Sequence, residues 1–129
     1  MAWTFLDFVN ASGQNEIRVW LDGLPKKVKA KVNTRLQHLQ AEKVLIDTRY
    51  TEVLHGECEG LMEIKIEAAN VQYRPLAFYG PGDRQITILF PAEERSDRFE
   101  PPGACEAALR KREEVLRMPN ERVCPHDYS

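Results

Sequence analysis

Residues 60–90 read GLMEIKIEAANVQYRPLAFYGPGDRQITILF, and this stretch decides the fold. Met62, Ile64 and Ile66 alternate with Glu63, Lys65 and Glu67. A period of two belongs to a strand with one face in a core and the other in solvent. Val71–Tyr79 follows as a second, aromatic strand. Gly80-Pro81-Gly82-Asp83 then marks a turn, since glycine supplies unusual backbone angles and proline pre-sets its own. Arg84–Phe90 makes a third strand with Ile86, Ile88 and Phe90 on one side. Connections this short join antiparallel neighbours. With a further short strand over Thr48–Leu54, the expectation is an antiparallel meander sheet of about four strands.

Before the meander, Trp3–Val9 is apolar and aromatic and reads as a strand ended by the turn-forming Asn10-Ala11-Ser12-Gly13. Ile17, Trp20, Leu21 and Leu24 then fall at the i, i+3, i+4, i+7 spacing of a helix face. Gly23 ends that helix and Pro25 opens the next in the favoured first-turn position. In the second helix Val28, Val32, Leu36 and Leu39 stack on one face, and Lys27, Lys31, Arg35 and His38 line a flank. Pro91–Pro102 is polar, charged and bounded by prolines, so it reads as a loop. Gly103–Arg117 returns to helix with Cys105, Ala108, Leu109, Val115 and Leu116 on the core side. The class expected is α+β: an N-terminal strand and helical hairpin, the meander, and a C-terminal helix packed on the sheet. The domain spans residues 1–118, and 119–129 has little to bury and reads as a flexible tail.

The 129 residues suit one domain, 43% hydrophobic and 29% charged, with no apolar run long enough to span a bilayer. The first residues carry Asp7 and no basic stretch, unlike a signal peptide. Three cysteines, Cys58, Cys105 and Cys124, are an odd number at irregular spacing, so reduced thiols in a cytoplasmic protein are expected. A net charge of −2 runs against the basic excess usual in a nucleic-acid binder, so any RNA contact must use a local basic face.

The order and content of these segments resemble the RelE/HigB toxin superfamily, in its phage-derived HigB-like (RelE/ParE-type) branch. VWLDGLPKKVKAKVNTRLQHL (residues 19–39) is similar to that branch's helical hairpin. Residues 60–90 are similar to its meander, in which a Glu-Leu-Arg triplet precedes a Tyr-Arg pair. Here these are Glu63-Ile64-Lys65 and Tyr73-Arg74. PPGACEAALRKREEVL (residues 101–116) resembles the closing helix. The resemblance implies a RelE-like fold and the toxin of a type II toxin–antitoxin module. Such a toxin is a ribosome-dependent, metal-independent endoribonuclease that cuts messenger RNA and is blocked by a small helix-turn-helix antitoxin. It needs no cofactor and no membrane.

Metal-free RNA cleavage must activate a 2′-hydroxyl, stabilise a charged phosphorane and protonate the leaving 5′-oxygen. Lys65 and Arg74 are placed on adjacent strands for this, Arg74 as a fork for phosphate and Lys65 as a point charge or proton donor. Family members carry a basic pair after the third strand and often a tyrosine before the last helix; this chain has Ala92-Glu93 and Phe99. Arg95 and Arg98 remain nearby. The catalytic candidates are therefore Lys65, Arg74, Arg95 and Glu93, with Glu94 an alternative base. Arg98, Tyr73 and Arg84 are the substrate-binding candidates.

The bland readings stand beside these. Lys65 and Arg74 also suit solvated strand residues paired with Glu63 and Glu67, and the lysine flank a solvated helix face or a contact with ribosomal RNA. His55 with Cys58, and Cys124 with His126, lack zinc-finger spacing, so no metal is expected. Trp20 reads as a core anchor. The acidic loop supports an alternative: a catalytically inactive phage or prophage protein that binds another host protein. A gyrase-directing toxin is a third reading.

Overall fold

A computed structural model describes residues 2–129. Strands β1 (Thr4–Phe8), β2 (Thr51–Val53), β3 (Met62–Ile64), β4 (Ile66–Ala68), β5 (Val71–Tyr79), β6 (Gln85–Arg95), β7 (Arg98–Glu100) and β8 (Val123–Pro125) form one sheet. Helices α1 (Glu16–Asp22), α2 (Lys26–Gln40) and α3 (Ala104–Arg117) pack on it. Asn15 caps α1 by accepting from the Arg18 amide at 2.9 Å.

The molecule is α+β, but the four-strand meander is corrected to an eight-stranded mixed sheet. Its spine runs β2-β3-β5-β6-β1-β8, with β4 also on β5 and β7 also on β6. β1 lies parallel to β6, with Phe5 opposite Ile86. β8 closes the far edge antiparallel to β1, with Asp7 opposite Cys124. Segment 119–129, expected as a loose tail, thus carries a strand. Pro125 is tolerated there because an edge strand leaves one row of backbone groups unpaired.

Residues 91–102, expected as a loop, instead continue β6 to Arg95 and return as β7 through Ser96 and Asp97. Both turn residues have positive φ, 53° and 62°, the backbone of a tight two-residue hairpin built without glycine.

The sheet separates two apolar clusters. Phe5, Ile17, Leu21, Val32, Leu36, Ile64, Ala77 and Ile88 lie on the α1–α2 side. Phe8, Leu76, Phe78, Leu89, Ala108 and Val115 lie on the α3 side. Trp20 packs against the first cluster, whereas Leu116, expected inward, is exposed. The reduced-thiol expectation is corrected for one pair: Cys58, in a 3₁₀ turn at Gly56–Cys58, is disulfide-bonded to Cys105 in the first turn of α3, with Cα atoms 5.2 Å apart. Cys124 is free and half-buried. Among the described residues no helix is long and apolar enough to cross a membrane.

At the β8 edge a polar cluster is sealed inside. His126 Nδ1 shares a hydrogen bond with Asp7 Oδ1 at 2.7 Å, and its Nε2 shares one with Asn33 Oδ1 at 2.8 Å. Asn15 Nδ2 donates to the other Asp7 oxygen at 3.0 Å, and Asn33 Nδ2 donates to the Tyr128 carbonyl at 3.2 Å. The cluster ties the last strand to β1 and α2.

Candidate cationic cleft

β5 alternates its side chains between the two clusters, so Arg74 lies on the opposite face from its neighbour Tyr73. Its cross-strand partner Ala92 belongs to the α3-side cluster, which fixes that face. Glu63 of β3 and Glu94 of β6 reach Arg74 from either side, and Glu67 of β4 from above. Arg74 Nε is 3.3 Å from Glu94 and 3.6 Å from Glu63, and Nη2 is 3.9 Å from Glu67. Nη1 donates to the Tyr73 carbonyl at 3.0 Å. Arg74 is only 5% exposed, as is Glu63.

Glu63 is the uneasy member of this group. Its Oε2 has no hydrogen-bond partner. Burial pushes its carboxyl above the ordinary carboxylate range; Arg74 opposes that, while Glu52 and Glu94 add to it. Lys65 donates to Glu52 at 2.9 Å, a bond that holds its ammonium above the ordinary lysine value.

Lys65 and Arg74 line one cleft of about 340 Å³, completed by Lys31 and Arg35 of α2 and by Arg49, Tyr50 and Glu67. Two backbone links build its floor. The Lys65 amide donates to the Tyr50 carbonyl at 2.8 Å, and Arg35 Nη1 donates to the Lys65 carbonyl at 3.0 Å. The Arg35 guanidinium sits over the Tyr50 ring, its central carbon 3.4 Å from the ring centre, a cation–π contact. Arg49 approaches the same ring at 5.3 Å. Burial lowers the Arg35 pKa; the Tyr50 hydroxyl opposes the shift and the Arg49 charge reinforces it. Five cationic side chains and a single carboxylate line the cleft, so it can hold an anionic oxygen while carboxylates behind Arg74 accept a proton.

The other expected site residues lie elsewhere. Glu93 and Arg95 sit one and three positions beyond Ala92, hence on the face away from Arg74, and neither lines the cleft. Arg98 faces Arg95 across the hairpin and lines a separate cleft of about 640 Å³ beside Cys58, Cys105 and Phe99. Arg84 is in the turn at the other end of the β5–β6 hairpin, its guanidinium 4.6 Å over the Trp3 ring. Tyr73 is buried against Trp20, their rings 6.3 Å apart, and offers no stacking face. Sequence reasoning missed Arg49, Tyr50 and Glu52. The outward alternation of Glu63, Lys65 and Glu67 was a signal for the acidic surround, but the chain at 41–50 has no periodicity that would place Arg49 and Tyr50.

A family model described as "Phage derived protein Gp49-like (DUF891)" matches residues 19–90. That span contains every residue lining the cationic cleft and excludes Glu93, Arg95 and Arg98. No curated protein and no solved structure matches the chain.

Proposed function

Because the chain belongs to the phage-derived Gp49-like family, a RelE-like toxin family related to toxin–antitoxin systems, we propose that it is the toxin of a type II module and cuts messenger RNA on the ribosome without a metal. The observation carrying this reading is that Lys65, at the break between β3 and β4, and Arg74 of β5 open into one cleft flanked by the cations of α2. In the proposed reaction the substrate 2′-oxygen attacks phosphorus and the bond to the 5′-oxygen breaks, leaving a cyclic phosphate and a 5′-hydroxyl. Arg74 stabilises the phosphorane through its fork, and Lys65 supplies the proton to the departing 5′-oxygen. Glu94, which shares the face of Arg74, takes the 2′-hydroxyl proton in place of Glu93. The site of action is the cytoplasm, and a small helix-turn-helix antitoxin is the partner that holds the protein inactive.

A second reading has its own support. The Arg74 guanidinium already has three carboxylates around it, which weakens its pull on phosphate and fits a non-enzymatic module that binds another host protein. Induced expression followed by primer extension on cellular transcripts separates the two. The toxin reading expects growth arrest with new 5′ ends inside translated frames, both lost in Lys65→Ala. Arrest without new ends, or a folded protein that causes no arrest, overturns it.

A further inference from the structure

We propose that Lys31, Arg35 and Arg49 form a phosphate-binding subsite for single-stranded RNA beside Lys65 and Arg74, holding the strand by a backbone phosphate next to the one that reacts. The proposal rests on the toxin reading for its biological role, but the binding chemistry stands on the cleft itself.

The cations of the cleft are not equivalent. Arg74 is neutralised by Glu63, Glu67 and Glu94, and Lys65 by Glu52. Lys31 and Arg49 are exposed, and among the described residues neither has a carboxylate within ion-pair distance. Arg35 spends one guanidinium nitrogen on the Lys65 carbonyl and sits over the Tyr50 ring. Its remaining donors are left toward the cleft. The surplus positive charge therefore sits on the α2 side, next to the paired residues rather than on them.

Geometry favours a phosphodiester over a diffuse counter-ion cloud. The Arg35 guanidinium is held rigidly by the ring below it and the carbonyl beside it, so it loses little freedom on forming a forked contact with two phosphate oxygens. Lys31 lies one helical turn before Arg35 and on the same flank of α2. Arg49 approaches from the loop opposite. An extended strand laid along the cleft can reach both groups of cations, which is how a chain with net charge −2 can still grip RNA.

The test uses a fluorescent, 2′-O-methylated oligoribonucleotide, which cannot be cut, and follows its anisotropy across a salt series. Lys31→Gln combined with Arg49→Gln removes two exposed cations and should leave the fold intact, as checked by circular dichroism. Affinity is expected to fall at least about tenfold near 0.1 M salt, with the slope of log affinity against log salt reduced by about 0.7, the contribution of the one single-strand phosphate contact the subsite makes. Arg110→Gln, on exposed α3, should change affinity by less than about twofold. Wild-type protein that does not bind the strand, or a double variant that binds as tightly as wild type, overturns the subsite. In cells the double variant should also weaken arrest. If wild type and double variant arrest growth equally, the subsite falls and the toxin reading survives. If wild type causes no arrest but the double variant still loses RNA binding, the toxin reading falls and the subsite survives.

Discussion

Two polar clusters are buried at opposite reaches of the same sheet, and they are built on different terms. Around His126 the carboxylate and amide groups meet their complements: both Asp7 oxygens are engaged, and Asn33 bridges the imidazole to the Tyr128 carbonyl, while the unpartnered atom there is the neutral Tyr128 hydroxyl. Around Arg74 three carboxylates converge on one guanidinium, and an oxygen of Glu63 goes without a hydrogen bond. A satisfied cluster rigidifies a fold, whereas an unsatisfied one stores unfavourable charge that a ligand or a proton can relieve. The contrast makes β8 the structural anchor and leaves the unrelieved charge at β3–β5, where the toxin reading puts its proposed chemistry.

Four measurements test that contrast. Arg74→Ala should have the largest effect, because it strands Glu63 as an uncompensated buried carboxylate, at a cost of about 3–5 kcal/mol in chemical denaturation at pH 7. A loss below about 1 kcal/mol would show that Arg74 does not neutralise the cluster. His126→Ala should cost about 2–3 kcal/mol by leaving polar groups of Asp7 and Asn33 unpaired, with amide exchange of β8 rising toward that of an unfolded chain. Unchanged protection in β8 would remove the anchoring role.

The third effect is smaller and has the opposite sign. Burial raises the Glu63 carboxyl, so ionising it is harder in the folded chain than in the unfolded one. Its contribution to stability is complete at acidic pH, below the ordinary carboxylate value, and drains away as pH rises through the raised value. Glu63→Gln, neutral at every pH, should therefore flatten this decline and raise the melting temperature at pH 8 more than at pH 4. Parallel pH profiles for wild type and variant would contradict it. The smallest stability change belongs to Lys65→Ala: its pair with Glu52 is partly exposed and should be worth under about 1 kcal/mol in urea titration, even though the toxin reading has it abolish cleavage.

Local patterns in the chain reached some of this architecture. Period-two alternation located residues 62–67, which the structure divides into β3 and β4. Aromatic content and the turn at residues 80–83 located β5 and the first half of β6, and the apolar stripe Val28-Val32-Leu36-Leu39 located α2. What escaped is what no local pattern encodes. The parallel pairing of β1 with β6 joins segments far apart in the chain, and β8 is three residues long with a proline in it. Ser96-Asp97 lacks the Asn-Gly or Asp-Gly sequence that announces a tight hairpin. That omission spread to the site: treated as loop residues, Glu93 and Arg95 carried no face constraint and were grouped with Arg74, whereas strand alternation turns them away from it. Lys65 and Arg74 were legible together because residues 62–67 alternate and 71–79 read as the next strand, although Lys65 proves to be the break between β3 and β4. Arg49 and Tyr50 were not, since only tertiary packing brings that segment against α2.

The position of β1 bears on the order in which the molecule assembles. Its backbone is satisfied on one side by Gln85–Ile88 and on the other by Val123–Pro125. This strand is thus among the last to be completed, and the β6-β1-β8 end of the sheet waits on loop closures of high contact order, which slow folding relative to helical proteins of similar size, whereas the central β5–β6 hairpin closes locally. During synthesis the helical hairpin of α1 and α2 can form early from local contacts, while β1 stays half-paired until the segment around Cys124 has emerged from the ribosome.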